Sequence, residues 1–299
     1  MYKKTIEEMN LIDDFLMSAA ASDKEVGEKI MRCILTVLLQ RKIGKVKVVS
    51  QSVIPGNTPL QRGIRMDVEI TESREGEDDA IVNVYDLEPH TKRDLDFPRA
   101  NRFRQAKIDS RYMKSGDDQF EHLPDLYVIT ITNFDIFNRD NMVYTFRTVC
   151  SEDSDIKYED GIHRIYFNTQ GKKCDSTAIR NMLNYIQNSN KNAAIDTATE
   201  ELEGYVYKVK TDSEVRRSVM TFGDIIDREK RETAIETAKE TFIETITDLL
   251  EDLGPVSEEL NEKLNEIDDS VLLKRIHKLA ARVDSIEDFE EKLDQLMTK

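Results

Sequence analysis

The sequence predicts an α/β fold: a mixed β-sheet flanked by helices, followed by an α-helical C-terminal extension. Three observations carry that expectation. Short β-rich runs separated by turn residues crowd the first part of the chain. A basic helical segment falls between the third and fourth of them, giving the order α-β-β-β-α-β, which suits a sheet with helices packed on it. Beyond residue 197 apolar residues recur at helical spacing almost to the end.

The elements follow in order. Asp23 is placed to cap a helix whose apolar face is Val26, Ile30, Ile34, Val37 and Leu38. Strands are expected at 46–54, 64–71 and 80–88. Pro55, Gly56 and Asn57, and the polar stretch 73–79, supply turn chemistry between them, so the three runs read as a meander of neighbouring strands. The basic helix spans about 98–115, with Pro98 suited to its first turn and Gly116 to its end. The run LYVITIT at 126–132 is rich in β-branched residues and reads as a buried strand. Strands at 142–149 and 163–168 extend the sheet, and a helix at 176–187 closes a first domain, 1–195.

The remainder, 196–299, reads as an acidic helical extension. A Gly254–Pro255 break separates a long helix at 224–253 from shorter ones, for which Ser257, Asp269 and Ser285 are plausible caps. Leu260, Leu264 and Ile267, then Leu272, Leu273, Ile276 and Leu279, give apolar faces. Such faces form a core or a helix–helix interface, and a homo-oligomer through the C-terminal helices is the expectation that goes with them.

Composition bounds the function classes. Of 299 residues, 39% are apolar and 34% charged, as in a globular protein with a richly charged surface. Cys33, Cys150 and Cys174 are widely spaced without a CxxC pair, so reduced thiols in a cytoplasmic protein are expected rather than a zinc site or a disulfide framework. No apolar run approaches the ~20 residues that cross a bilayer, and the N-terminus lacks a signal peptide's apolar stretch. The net charge of −16 argues against a generally nucleic-acid-coated surface, but residues 224–299 account for −11 of it. Residues 99–114 carry +5, enough for a local basic groove.

Chemistry concentrates in two of the predicted strands. On a strand alternate residues share a face, so Asp67 and Glu69 point one way, and Asp86 and Glu88 share a face on the next strand. Adjacent antiparallel strands bring Asp67 and Glu88 within reach of one ion. Two carboxylates suit Mg2+, which binds few protein oxygens and keeps several waters. By residue type alone, such acids are more often solvated surface groups. His122, His163 and His277 share no metal-ligand spacing, and no Ser-His-Asp order or Gly-rich phosphate loop is present.

The blocks GIRMDV, VYDLEPH, FPRANRFRQAKID and LPDLYVITITNFDIF occur in that order, and the chain resembles the PD-(D/E)xK nuclease-family transposases over about residues 11–190. That resemblance implies a restriction-endonuclease-like core. It assigns Asp67 and Glu88 as the acids that hold Mg2+ or Mn2+, and it puts His90 in the place of the family's catalytic Lys, commonly Gln in this group. His is a departure, since it titrates where Lys is a fixed charge. Pro89 is another, and it marks the end or the edge of its strand. Arg102 matches the family's helix arginine and Asp109 the acid of its "ID" pair.

Two functions follow as expectations. The first is metal-dependent hydrolysis of DNA phosphodiester bonds. Asp67, Glu88 and His90 carry the chemistry, and Arg102, Arg104 and Lys107 contact the DNA backbone. The alternative is a catalytically impaired protein that keeps the nuclease fold as a binding or assembly module. His90, Pro89 and the acidic tail favour it. No groove-reading module is visible, so low sequence preference is expected.

Overall fold

The computed structural model describes residues 4–54, 63–93, 96–113, 120–219, 239, 241–265, 267 and 269–297. They divide into two compact units, Lys4–Val219 and the described residues beyond it. No helix among the described residues is long and apolar enough to cross a membrane.

The first unit is built on a mixed six-stranded sheet. Its strands are β1 (Lys45–Ile54), β2 (Ile64–Arg74), β3 (Glu77–His90), β4 (Asp125–Thr132), β5 (Val143–Phe146) and β6 (Ile162–Asn168), in spatial order β1-β2-β3-β4-β6-β5. The first three form the expected antiparallel meander. The polar stretch at 73–79 is mostly strand: β2 and β3 meet in a tight hairpin with Arg74 opposite Glu77, and Gly76 supplies the left-handed residue at φ 85°. From β3 the chain crosses through α3 (Phe97–Tyr112) to β4, which runs parallel to both β3 and β6. A parallel strand inside a sheet is covered on both faces. The run of Leu126, Val128, Ile129, Thr130 and Ile131 is accordingly buried without alternation.

Two strand expectations are corrected. Pro89 does not mark a sheet edge, because β3 is interior and continues to His90, with Pro89 level with Ile131 of β4. Its strand does end one residue later, and the β2 ladder has already stopped at Leu87. The strand expected at 142–149 is shorter. β5 has a neighbour on one side only, and beyond Phe146 the exposed Arg147, Thr148 and Val149 find no strand to pair with among the described residues.

Helices flank this sheet. Asp23 opens the turn into α2 (Gly27–Leu38), accepting from the N–H groups of Glu25 and Val26 at 2.8 and 2.9 Å. α2 buries Ile30, Met31, Ile34, Leu35 and Leu38 and packs on α1 (Asp14–Ser22), α4 (Thr177–Gln187) and α5 (Thr197–Thr211). α1 in turn lies against β1 and β2. Arg41, just past α2, reaches Glu72 and Tyr85 on one face of the sheet, while α3 covers the face that carries Asp86.

The first unit extends beyond the boundary expected at 195. Asp196 caps α5, and Leu202, Val206 and Val209 are buried against the preceding helices. Lys210 Nζ fastens the end of α5 by donating to the Ser189 carbonyl at 2.7 Å.

In the second unit, residues 241–251 are helical, and most of the expected 224–253 helix lies outside the described residues, as do Pro55, Gly56, Asn57 and Gly116. Helices follow at Glu258–Asn265, Ser270–Ala280 and Ile286–Met297. Ser257, Asp269 and Ser285 cap them, accepting from Leu260, Leu272 and Asp288 N–H groups. Leu260, Leu264, Ile267, Leu273 and Ile276 close on one another in a core of this unit's own, joined by Phe289 and Leu293. The apolar faces expected for self-association are thus largely buried within the chain.

Candidate active site

The sheet register sets four carboxylates together. Glu69 pairs with Asp86 and Val68 with Leu87, where the β2–β3 ladder ends, and Asp67 and Glu88 follow directly beyond it. The backbone N–H of Asp67 donates to Glu88 Oε1 at 2.8 Å. Glu69, Asp86 and Glu88 meet the arginines of α3, whereas the strict alternation of β2 is interrupted at Asp67, because Met66 joins Val84 and Ile108 of α3 in one cluster. Glu69, Asp86 and Glu88 are buried and Asp67 is half-buried.

α3 neutralises part of this charge. Its inner side is marked by buried Phe97, Asn101 and Ile108. Arg104 and Arg111, two turns apart, project the same way. Arg104 grips Asp86 with both prongs of its fork, Nε to Oδ2 at 2.7 Å and Nη2 to Oδ1 at 2.9 Å. It also bonds Glu88 Oε1 and donates to the Arg65 carbonyl at 3.1 Å. Arg111 donates to Glu69 at 2.8 Å, and the Tyr112 hydroxyl reaches the other oxygen of Glu69 at 3.0 Å. Glu69 therefore has Arg111, and Asp86 takes both prongs of an Arg104 that also bonds Glu88. Asp67 and Glu88 share what remains.

The electrostatics follow from that imbalance. Burial, then the charges of Asp86 and Asp67, push the Glu88 pKa well above the usual carboxylate range, against the pull of Arg104. Burial also raises Asp67, although Arg104 and Arg65 oppose it. Burial disfavours the charge on Arg104, but Asp86, Glu88 and Asp67 outweigh it and hold the guanidinium protonated. On the opposite face Glu72 is a useful contrast. Burial alone would raise it, yet Tyr85, the Gly44 N–H and Arg41 together bring it below its ordinary value. A satisfied acid goes down. Asp67 and Glu88 go up because burial outweighs the hydrogen bonds and the guanidinium that favour their charge.

A fifth acid joins them that the sequence did not single out. Asp14, at the start of α1, keeps much of its surface in water. Burial of its carboxyl, followed by the charges of Asp67 and Asp13, lifts its pKa to about 6, and Lys92 acts the other way. A carboxyl that holds its proton longer in the folded state stabilises the fold least once pH exceeds the folded value. Asp14→Asn is therefore expected to gain stability over the wild type at pH 7, by about 1 kcal/mol after solvent screening. Near pH 4, where the carboxyl is already neutral, it should gain almost nothing. Urea unfolding at the two pH values measures this, and an equal gain at both would show that the Asp14 carboxyl is not raised in the folded protein.

The remaining expected residues are placed as follows. His90 ends β3, with Nε2 3.9 Å from Glu88 Oε2 and its ring edge-on to Phe97 at 5.1 Å. It stands at the carboxyl end of a parallel strand, where open α/β sheets present ligand sites. Arg102 is exposed on the outer side of α3, and Lys107 is half-buried with Nζ 5.8 Å from the Phe103 ring centroid. Arg104, expected to contact DNA, is turned inward onto Asp86 and Glu88. Burial raises the Asp109 carboxyl, opposed by Gln105 and by Arg164 of β6, which ties α3 to the sheet.

Oxygen donors with surplus negative charge suit a hard divalent cation, and Asp67 and Glu88 are the residues that would hold one. Among the described residues no group of three or more His, Cys, Asp or Glu is arranged as a metal cage. Such a site would be of the two-carboxylate kind that leaves most positions to water. Comparison with family models, with curated proteins and with solved structures finds no match to this chain.

Proposed function

We propose that the chain is a metal-dependent deoxyribonuclease with a restriction-endonuclease-like core, related to the PD-(D/E)xK nuclease-family transposases. One observation carries the reading. The backbone N–H of Asp67 bonds the Glu88 carboxylate just beyond the last β2–β3 pair, in a cluster where Asp67, Asp86 and Glu88 face one bonded guanidinium, that of Arg104. The path from that meander through α3 to a parallel β4 supports it too.

A divalent ion, Mg2+ or Mn2+, supplies Lewis acidity to a phosphoryl oxygen when bound by Asp67 and Glu88. The chain's own residues do the rest. Asp67 and Glu88 would hold that ion beside the strand ends. His90, beside Glu88, has a ring nitrogen to orient a water or accept its proton. Arg102 and Lys107 contact the DNA backbone from α3.

A second reading has its own observation. Arg104 already bonds Glu88 and Asp86, and His90 stands where the family carries Lys, as in a fold kept for binding or assembly. The experiment that separates the two is cleavage of supercoiled and single-stranded DNA by the purified full chain. Nicking with Mg2+ or Mn2+ that EDTA abolishes is expected. DNA bound but never cut, in either metal, would move the assignment to the binding module.

A further inference from the structure

α3 has a second working side. Arg104 and Arg111 face the sheet and are paired with its carboxylates. At 100° per residue, Phe103 and Lys107 lie on the flank beside Arg104, one turn apart. Phe103 is 39% exposed on a helix that otherwise shows mostly charged and polar groups to water. Lys107 Nζ stands over its ring, 5.8 Å from the centroid, and exposed Arg102 precedes it in the chain. A partly exposed aromatic ring with a lysine over it and an exposed arginine beside it in the chain is the kind of surface on which unpaired bases stack while their phosphates meet ammonium and guanidinium groups. A duplex cannot use such a ring without unstacking, because its base faces cover one another.

We propose that Phe103, with Lys107 and Arg102, is a stacking platform for single-stranded DNA, and that this platform delivers an unpaired strand to the carboxylate site. The inference rests on the nuclease reading and narrows its substrate to DNA with unpaired bases. Phe103 contributes ring surface that every base can use, so recognition is independent of sequence. Lys107 holds the phosphate next to the stacked base, and Arg104 stays with the sheet.

The chain contains no tryptophan, so Phe103→Trp introduces a single indole, excited apart from the tyrosines, at the platform. With an oligothymidylate of about 12 nucleotides, a length within the site sizes of single-strand binders, the indole emission is expected to be quenched as the strand binds. Anisotropy of a labelled strand should show Phe103→Ala binding it roughly tenfold more weakly, with Phe103→Tyr restoring the affinity and duplex binding moving little. Unquenched emission while anisotropy reports a bound strand would overturn the platform. So would an equal loss for single strand and duplex in Phe103→Ala. In both cases metal-dependent cleavage by the wild type would leave the nuclease reading standing. A full chain that binds no DNA of either kind would overturn both.

Discussion

Asp67→Asn and Glu88→Gln are each expected to lower metal-dependent DNA cleavage by a factor on the order of 10^2 to 10^3, the scale of losing one charged group that stabilises a developing negative charge. The same substitutions should leave the metal-free fold as stable as the wild type at pH 7, or more stable. Each removes one of two carboxylates that burial, aided by the charge of Asp86, holds above their ordinary pKa. Gln at 88 keeps an amide oxygen to accept from the Asp67 N–H and from Arg104, so the local hydrogen bonds survive. Added Mg2+ should raise the unfolding midpoint of the wild type and not of either variant. Activity lost while stability holds is the signature of groups kept for a ligand. If stability and activity fall together, the two acids serve the fold, and the binding-module reading gains.

How far this arrangement could be read from sequence depends on whether it is local. The meander was legible, because β-branched runs are local signals, and the two-residue period alone aligned Asp86 with Glu88, which meet the same Arg104, while the break in alternation at Asp67 was not. The three tail caps were legible for the same reason: Ser257, Asp269 and Ser285 each act on an N–H three residues away. Asp14 was not, since nothing around it distinguishes it from Asp13, and only the packing of α1 on β2 brings it into the field of Asp67. The direction of Arg104 was also hidden. Basic residues surround α3 on several sides, so its sequence shows no apolar stripe, and its inner side is defined by carboxylates on other strands. The boundary at 195 failed on a similar point. Leu202, Val206 and Val209 announce a helix face, but not that α2 and α4 are its partners.

Arg104→Met is expected to destabilise the protein by about 3–5 kcal/mol at pH 7, the cost of removing one member of a buried ion pair and leaving the other charged. Asp86 is wholly buried and Glu88 nearly so, and Arg104 bonds both. The deficit should shrink as pH falls, because a carboxyl held above its ordinary pKa takes up its proton early and ceases to need a cation. Chemical denaturation across that range measures it. Arg104→Lys should recover only part of the loss, since an ammonium cannot reproduce the fork that meets both Asp86 oxygens. The informative comparison adds Mg2+. If Asp67 and Glu88 hold a metal, the variant without the guanidinium has more negative charge to offer it. Mg2+ should then bind Arg104→Met more tightly than the wild type and return about 2–3 kcal/mol of stability near a hundredfold excess over Kd. Arg104 would in that case be a built-in competitor that keeps the acids compatible with burial until a divalent ion arrives. A deficit that Mg2+ does not touch would instead make the Arg104 cluster a purely structural clasp.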